Sequence, residues 1–221
     1  MNRVCDWDIR YPFLLKQIHN YPKCLYYKGD LELLKGRLVT IVGTRKITSY
    51  GKQVVRSMLY NFPSLLSVSF VSGLAIGVDV YVHRLCLENN LRTVAVVAGG
   101  LDNGYPKCNG KEYEQISETN LVLAEYPCGT KLIKGMFPIR NRILAGISDT
   151  VIVIEGDIDS GSMITADLAL EYGRDVYVIP GDIFRKTSRG CNELIKQGAG
   201  IIASREDFLN IFNIYSEQMY I

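Results

Sequence analysis

The chain has 221 residues, 48% of them hydrophobic, and carries 25 Lys/Arg against 23 Asp/Glu, so it can bury a full core but offers no overall charge to argue from. No apolar run reaches the roughly 18 residues of a membrane span, and charge interrupts any signal-peptide pattern at the N-terminus, which predicts a cytoplasmic protein without membrane association. Six scattered cysteines with no C-x-x-C pair, and only two histidines, argue against structural zinc and predict reduced thiols.

Residues 1–36, with Tyr11-Pro12, Tyr21-Pro22 and a turn at Lys28-Gly29-Asp30, read as an N-terminal cap. Beyond them, Val- and Ile-rich runs of strand length fall at 38–43, 67–72, 93–98, 121–124, 151–154, 176–179 and 200–202. They are apolar on successive residues, as strands covered on both faces are. Helix-length segments lie between them at about 48–60, 77–89, 111–119, 139–147, 161–172 and 190–198, with a terminal one near 205–213 that has the apolar content to dock on the core. This alternation predicts an α/β fold over residues 37–221: an extended Rossmann-like, doubly wound, mainly parallel sheet with helices on both faces.

Ligands of such sheets bind outside the carboxyl ends of the strands, where strand order reverses. The segments that follow those ends here are Gly43-Thr44-Arg45-Lys46, Ser72-Gly73 through Asp79, Gly99-Gly100-Leu101-Asp102, Glu155 through Ser162, and Pro180-Gly181-Asp182. Each brings glycine, serine or charge to one rim. Tight strand-to-helix turns use such residues anyway; their coincidence at one rim favours an anion site.

Charge is distributed unevenly. Windows 33–78, 126–148 and 183–192 hold 6, 4 and 3 Lys/Arg and no Asp or Glu, which leaves 12 basic residues to accompany all 23 acids elsewhere. Within the second window, Phe137-Pro138 precedes Arg140-Asn141-Arg142, an aromatic face beside two guanidinium groups. That mixture suits a nucleic-acid strand, whose phosphates attract cations and whose unpaired bases stack on rings.

The other signals are weaker singly. Gly43-Thr44-Arg45 leaves room for a phosphate beside backbone N–H groups, but neither G-x-G-x-x-G nor a Walker lysine motif occurs, which disfavours nicotinamide redox chemistry and ATP hydrolysis. Ser160 and Ser162 either expose a helix start to an anion or simply cap it, and Thr165 falls on the same first turn. No histidine or acid is spaced to activate a serine, so no nucleophile is expected. His83 lies four residues after Asp79, close enough on a helix to share a face, though its apolar neighbours favour a structural role. Glu155 and Asp157 read as loop acids. Tyr105-Pro106-Lys107, with Lys111 beyond, forms a polar loop that either extends a binding groove or is a solvated turn.

Taken in order, these segments resemble the DNA-processing protein A family, also called DprA or Smf. The resemblance runs through Ile41-Val42-Gly43-Thr44-Arg45, Ser72-Gly73-Leu74-Ala75-Ile76-Gly77-Val78-Asp79 with His83, Leu101-Asp102 with Tyr105-Pro106, Glu125-Tyr126-Pro127, Phe137-Pro138-Ile139-Arg140-Asn141-Arg142-Ile143, Ser160-Gly161-Ser162 with Thr165-Ala166, Pro180-Gly181, and Gly190-Cys191-Asn192-Glu193-Leu194-Ile195 before Gly198-Ala199. It covers about residues 10–203. Position 44 is Thr where the family commonly has Ser.

The resemblance implies a Rossmann-like domain that binds single-stranded DNA without sequence preference, protects incoming strands during natural transformation, and loads the RecA recombinase, generally as a homodimer. It implies no enzyme activity and no cofactor. It places DNA contacts at Arg45, Lys111, Phe137, Arg140, Asn141 and Arg142, and a phosphate pocket at Ser72, Gly73, Ser160, Gly161 and Ser162; the neighbouring residues add Lys46 and Lys107 to the expected contacts and Gly43, Thr44 and Thr165 to the expected pocket. The residues beyond the resemblance leave no room for a separate C-terminal winged-helix domain, so a core-only form, or a sequence trimmed to that core, is expected. The rival reading is a nucleotide hydrolase similar to the LOG or lysine-decarboxylase-like phosphoribohydrolases, although the stretch at Ser160–Ala166 lacks the catalytic Glu of their signature.

Overall fold

The computed structural model describes residues 2–103 and 106–214, in which nine strands join one sheet. In chain order they are β1 (Asn2–Cys5), β2 (Cys24–Gly29), β3 (Arg37–Val42), β4 (Val68–Ser72), β5 (Arg92–Gly100), β6 (Leu121–Tyr126), β7 (Thr150–Val153), β8 (Asp175–Val178) and β9 (Gly200–Ile201). The helices are α1 (Ser49–Leu59), α2 (Val78–Glu88), α3 (Gly110–Thr119), α4 (Met136–Ile147), α5 (Gly161–Glu171), α6 (Lys186–Lys196) and α7 (Arg205–Asn210). Short 3-10 turns occur at Leu14–Gln17, Leu31–Leu34 and Lys107–Asn109.

Strand order is β1-β2-β6-β5-β4-β3-β7-β8-β9, with β3 to β9 parallel and β1 and β2 antiparallel at one edge. From β3 the chain builds outward through β4, β5 and β6; β7 then returns to the other side of β3 and winding proceeds through β8 to β9. Order therefore reverses between β3 and β7, and a crevice opens outside their carboxyl ends.

Side chains of the central strands alternate between two covered faces. Val39, Ile41, Phe70 and Ile152 pack with α1, α2 and α7, while Val42, Val71, Val151 and Val153 pack with α4, α5 and α6. On the first face Ala95, Val97, Val122 and Ala124 meet α3 through Tyr113 and Ile116. Burial on both sides explains why these strands read as continuous apolar runs. The expected docking of the terminal segment is seen in α7 and the turn after it: Phe208 and Phe212 join Phe62 and Phe70 in an aromatic cluster with ring centroids 5.0–6.4 Å apart. Residues 215–221 of that segment lie outside the described residues.

Three differences from the sequence reading have physical causes. The first 36 residues, read as a cap, supply β1 at the sheet edge and β2 beside it, short strands whose half-polar sequences, Asn-Arg-Val-Cys and Cys-Leu-Tyr-Tyr-Lys-Gly, lack the apolar run of a strand buried on both faces. Cys5 and Cys24 are register partners across this hairpin and form a disulfide, so the expectation of uniformly reduced thiols is corrected for that pair. Buried Cys86 and Cys191 are free, their thiols pushed up to about 12 by burial. Finally, α4 starts at Met136 rather than near 139, because Pro138 sits in the first helical turn, where its missing N–H leaves no bond unmade.

Candidate functional site

The turn that follows β3 is fixed from two sides. The Thr44 amide donates to the Glu155 carbonyl at 2.6 Å, and the Val78 amide donates to the Thr44 carbonyl at 3.1 Å. Gly77 presses on this turn with φ +95°; a Cβ there would lie 2.3 Å from the Thr44 oxygen and 2.7 Å from Arg45 Cα. The turn therefore does not offer the Thr44 amide to a ligand, contrary to the simplest reading of Gly43-Thr44-Arg45. What it presents is the Arg45 side chain, exposed beside exposed Lys46.

Glu155 is more than a loop acid. It is buried, and its carboxylate accepts from the Thr48 amide at 2.9 Å and the Thr48 hydroxyl at 2.7 Å, tying the start of α1 to the end of β7. Asp157 is bound instead to Arg189 at the surface.

α4 and α5 pack side by side and both begin at the crevice. Neither has a side-chain cap. Ser160 occupies the N-cap position of α5, but its hydroxyl faces the Ser162 hydroxyl at 2.7 Å rather than a backbone amide. Simple N-capping, the plain alternative for these serines, is thereby set aside. Two bare helix starts with no acid in either first turn direct partial positive charge into the same space.

The resulting cleft has a volume of about 740 Å³, and Gly43, Thr44, Arg45, Lys46, Phe137, Arg140, Asn141, Ser160, Gly161, Ser162 and Thr165 all line it. Arg45, Lys46 and also Lys134 ring the mouth, exposed and with no ion pair among the described residues. The Arg45 guanidinium carbon lies 5.7 Å from the centroid of the half-buried Phe137 ring. Asn141 donates to the Gly161 carbonyl at 3.1 Å and so locks α4 to the start of α5.

Arg140 is buried at the floor. Its Nη1 donates to the carbonyls of Gly73 (2.6 Å) and Val96, and it faces the buried Asp79 carboxylate. Burial raises the Asp79 carboxyl above its ordinary range, and the neighbouring guanidinium opposes that shift. His83 does not pair with Asp79. Its Nδ1 lies 2.7 Å from the Thr93 hydroxyl in the core, and burial lowers it to about 3.

The remaining sequence-derived positions lie elsewhere. Ser72 is wholly buried and donates to the Ile41 carbonyl at 2.7 Å; Gly73 packs beneath Arg140. Arg142 turns away to an ion pair with Glu125 at 2.5 Å. Lys107 and Lys111 are exposed around the start of α3, outside the cleft lining, and Tyr105 lies outside the described residues. Sequence reasoning overlooked Lys134 as a lining residue, although it stands in the acid-free window, and Glu155 as the anchor of the α1 start, for which no sequence signal exists.

A family model described as DNA recombination-mediator protein A matches residues 2–213. The chain belongs to that family. Among members of the DNA recombination-mediator protein A family, the Bacillus subtilis DNA processing protein DprA is 45% identical over 199 residues, which are 90% of this chain and 67% of the relative. The X-ray structure of DprA from Streptococcus pneumoniae superposes with a TM-score of 0.90 at 41% identity, covering 95% of this chain and 73% of that one. The Helicobacter pylori family member, whose structure addresses its single-stranded DNA binding mode, gives 0.85 at 33% identity and covers 96% of both chains. The family's Rossmann-like architecture thus extends over nearly the whole chain.

Proposed function

We propose that this recombination-mediator family member binds single-stranded DNA without sequence preference in the cleft between β3 and β7, and delivers it to a RecA-type recombinase. The observation that carries the reading is the mouth of the cleft. Three cations with no ion pair among the described residues, Arg45, Lys46 and Lys134, share the mouth with the Phe137 ring beside two uncapped helix starts. Cations neutralise phosphates of any sequence, and a ring stacks on any base. A DNA duplex hides its base faces, so Phe137 favours a single strand. The H. pylori relative's single-stranded DNA binding agrees with this assignment.

The hydrolase alternative needs an acid free to act on substrate. Asp79, the acid among the cleft-lining residues, is buried and faces Arg140. Function in the cytoplasm as a homodimer belongs to the same proposal.

The test is binding of an unstructured oligonucleotide across a salt series against the same sequence as duplex. A clear single-strand preference with a steep salt dependence is expected; equal affinity for duplex, or release of free base from a nucleoside monophosphate, would overturn the reading. RecA filament assembly on strands coated with single-strand-binding protein, with and without this protein, tests delivery. Sedimentation of the free protein tests dimerisation.

A further inference from the structure

The floor of the cleft differs from its mouth. Arg140, Asn141, Ser162 and Thr165 are each more than nine-tenths buried, so the floor is walled behind and beneath. Arg140 lines the cleft, and its buried Nε has no hydrogen-bond partner among the described residues. The amides of Gly161 and Ser162, at the uncapped start of the 11-residue helix α5, meet no acceptor among the described residues. Ser160 and Ser162 share one hydrogen between their hydroxyls, which leaves the other to donate outward.

These donors outnumber what an internal phosphate of a strand uses. A phosphodiester has one negative charge, two free oxygens and a sugar on each side, so to reach the floor it must bring two sugars down with it. A terminal phosphomonoester carries about −1.5 to −2 charge at pH 7, has three free oxygens, and leaves by a single ester bond. Its geometry matches a closed floor rich in donors, and its second charge matches a helix start beside a buried guanidinium. Asp79, whose carboxylate faces Arg140 across Gly73, offsets part of the guanidinium charge, so the attraction rests chiefly on the start of α5 and its free amides.

We infer that the cleft floor is a receptor for a phosphomonoester, the phosphorylated end of a strand, while Arg45, Lys46, Lys134 and Phe137 hold the nucleotides next to it. This rests on the strand-binding reading above. The protein would then engage strand ends in preference to strand interiors.

The experiment compares one short oligonucleotide bearing a 5′-phosphate, a 3′-phosphate or no terminal phosphate, by fluorescence anisotropy on the full chain. At least one phosphorylated form is expected to bind about fivefold or more tightly than the unphosphorylated strand, and which one it is assigns the polarity. Equal binding of all three overturns the floor assignment and leaves strand binding intact; failure of all three to bind overturns both. Ser162→Ala, and independently Arg140→Lys, should reduce the preference to less than about twofold. Circular dichroism establishes that each variant is folded, and an undiminished preference in the folded variants also overturns the assignment.

Discussion

Asp79 and Arg140 confront each other across Gly73: a Cβ at that glycine would lie 2.2 Å from Arg140 Nη1 and 2.5 Å from Asp79 Oδ2. The carboxylate belongs to α2 and the guanidinium to α4, on opposite faces of the sheet. Opposed buried charges thus meet at the end of β4, where the absence of a side chain leaves them a passage.

Gly73→Ala should therefore destabilise the protein by about 1–3 kcal/mol, since Arg140 Nη1 is held by the Gly73 and Val96 carbonyls and cannot simply swing away. Urea unfolding followed by circular dichroism measures it as a lower midpoint at unchanged slope. Asp79→Asn should be destabilising too, because it leaves a buried cation without its counter-charge.

Phe137 and Arg45 act as neighbours at the mouth of the cleft. Phe137→Ala should weaken strand binding by about 1–3 kcal/mol with little dependence on base sequence, and Phe137→Tyr should restore most of it. The Arg45→Ala, Lys134→Ala double variant should lower affinity for every sequence alike and reduce the slope of log K against log salt by about 1.4, two phosphate contacts at roughly 0.7 each. An unchanged slope would remove these side chains from the phosphate path.

How far the sequence disclosed this site depends on the reach of each signal. The central strands β3 to β7 were legible because burial on both faces forces uninterrupted apolar runs, and with them came the rim and its turns. The direction of each side chain was not legible. Arg140 and Arg142 read as equivalent guanidinium groups two residues apart, but on a helix neighbours at i and i+2 face different ways. One lines the cleft floor and the other reaches Glu125. Ser72 looked like a hydroxyl at the rim, yet its strand position turns it inward to the Ile41 carbonyl. β1 and β2 escaped because strands at the sheet edge and next to it, only partly covered, need no apolar run, and the Cys5–Cys24 pairing depends on a strand register that spacing does not encode.

His83 couples stability to pH. Burial holds its folded pKa near 3, below the 6.5 of an exposed histidine, so the ring folds neutral and protonation favours the unfolded chain. Its contribution is complete above about pH 6.5 and is lost as pH falls from there toward 3. At pH 5 the loss should be about 2 kcal/mol relative to pH 7. His83→Gln should be less stable at pH 7 yet show a flatter profile between pH 7 and 5 in the same urea assay. Parallel profiles for the two proteins would assign the acid sensitivity to other groups.

Arg142 supplies the sharpest contrast with Arg45. Both are arginines in acid-free windows of the sequence, but Arg45 is exposed at the cleft mouth without an ion pair among the described residues, whereas the Arg142 side chain is mostly buried against Glu125. Charge count alone predicts equal losses of strand affinity from Arg45→Ala and Arg142→Ala. Geometry predicts that Arg142→Ala changes affinity less than about twofold and leaves the salt slope unaltered, because the guanidinium makes no phosphate contact to lose. Its cost should appear in stability instead, at about 1–3 kcal/mol, since Glu125 is left partly buried without its partner. Glu125→Gln should reproduce that stability loss in part. If Arg142→Ala matched Arg45→Ala in both affinity and salt slope, the ion pair would have to open when a strand binds, and the cleft would extend along α4 beyond the residues that line it in the free protein.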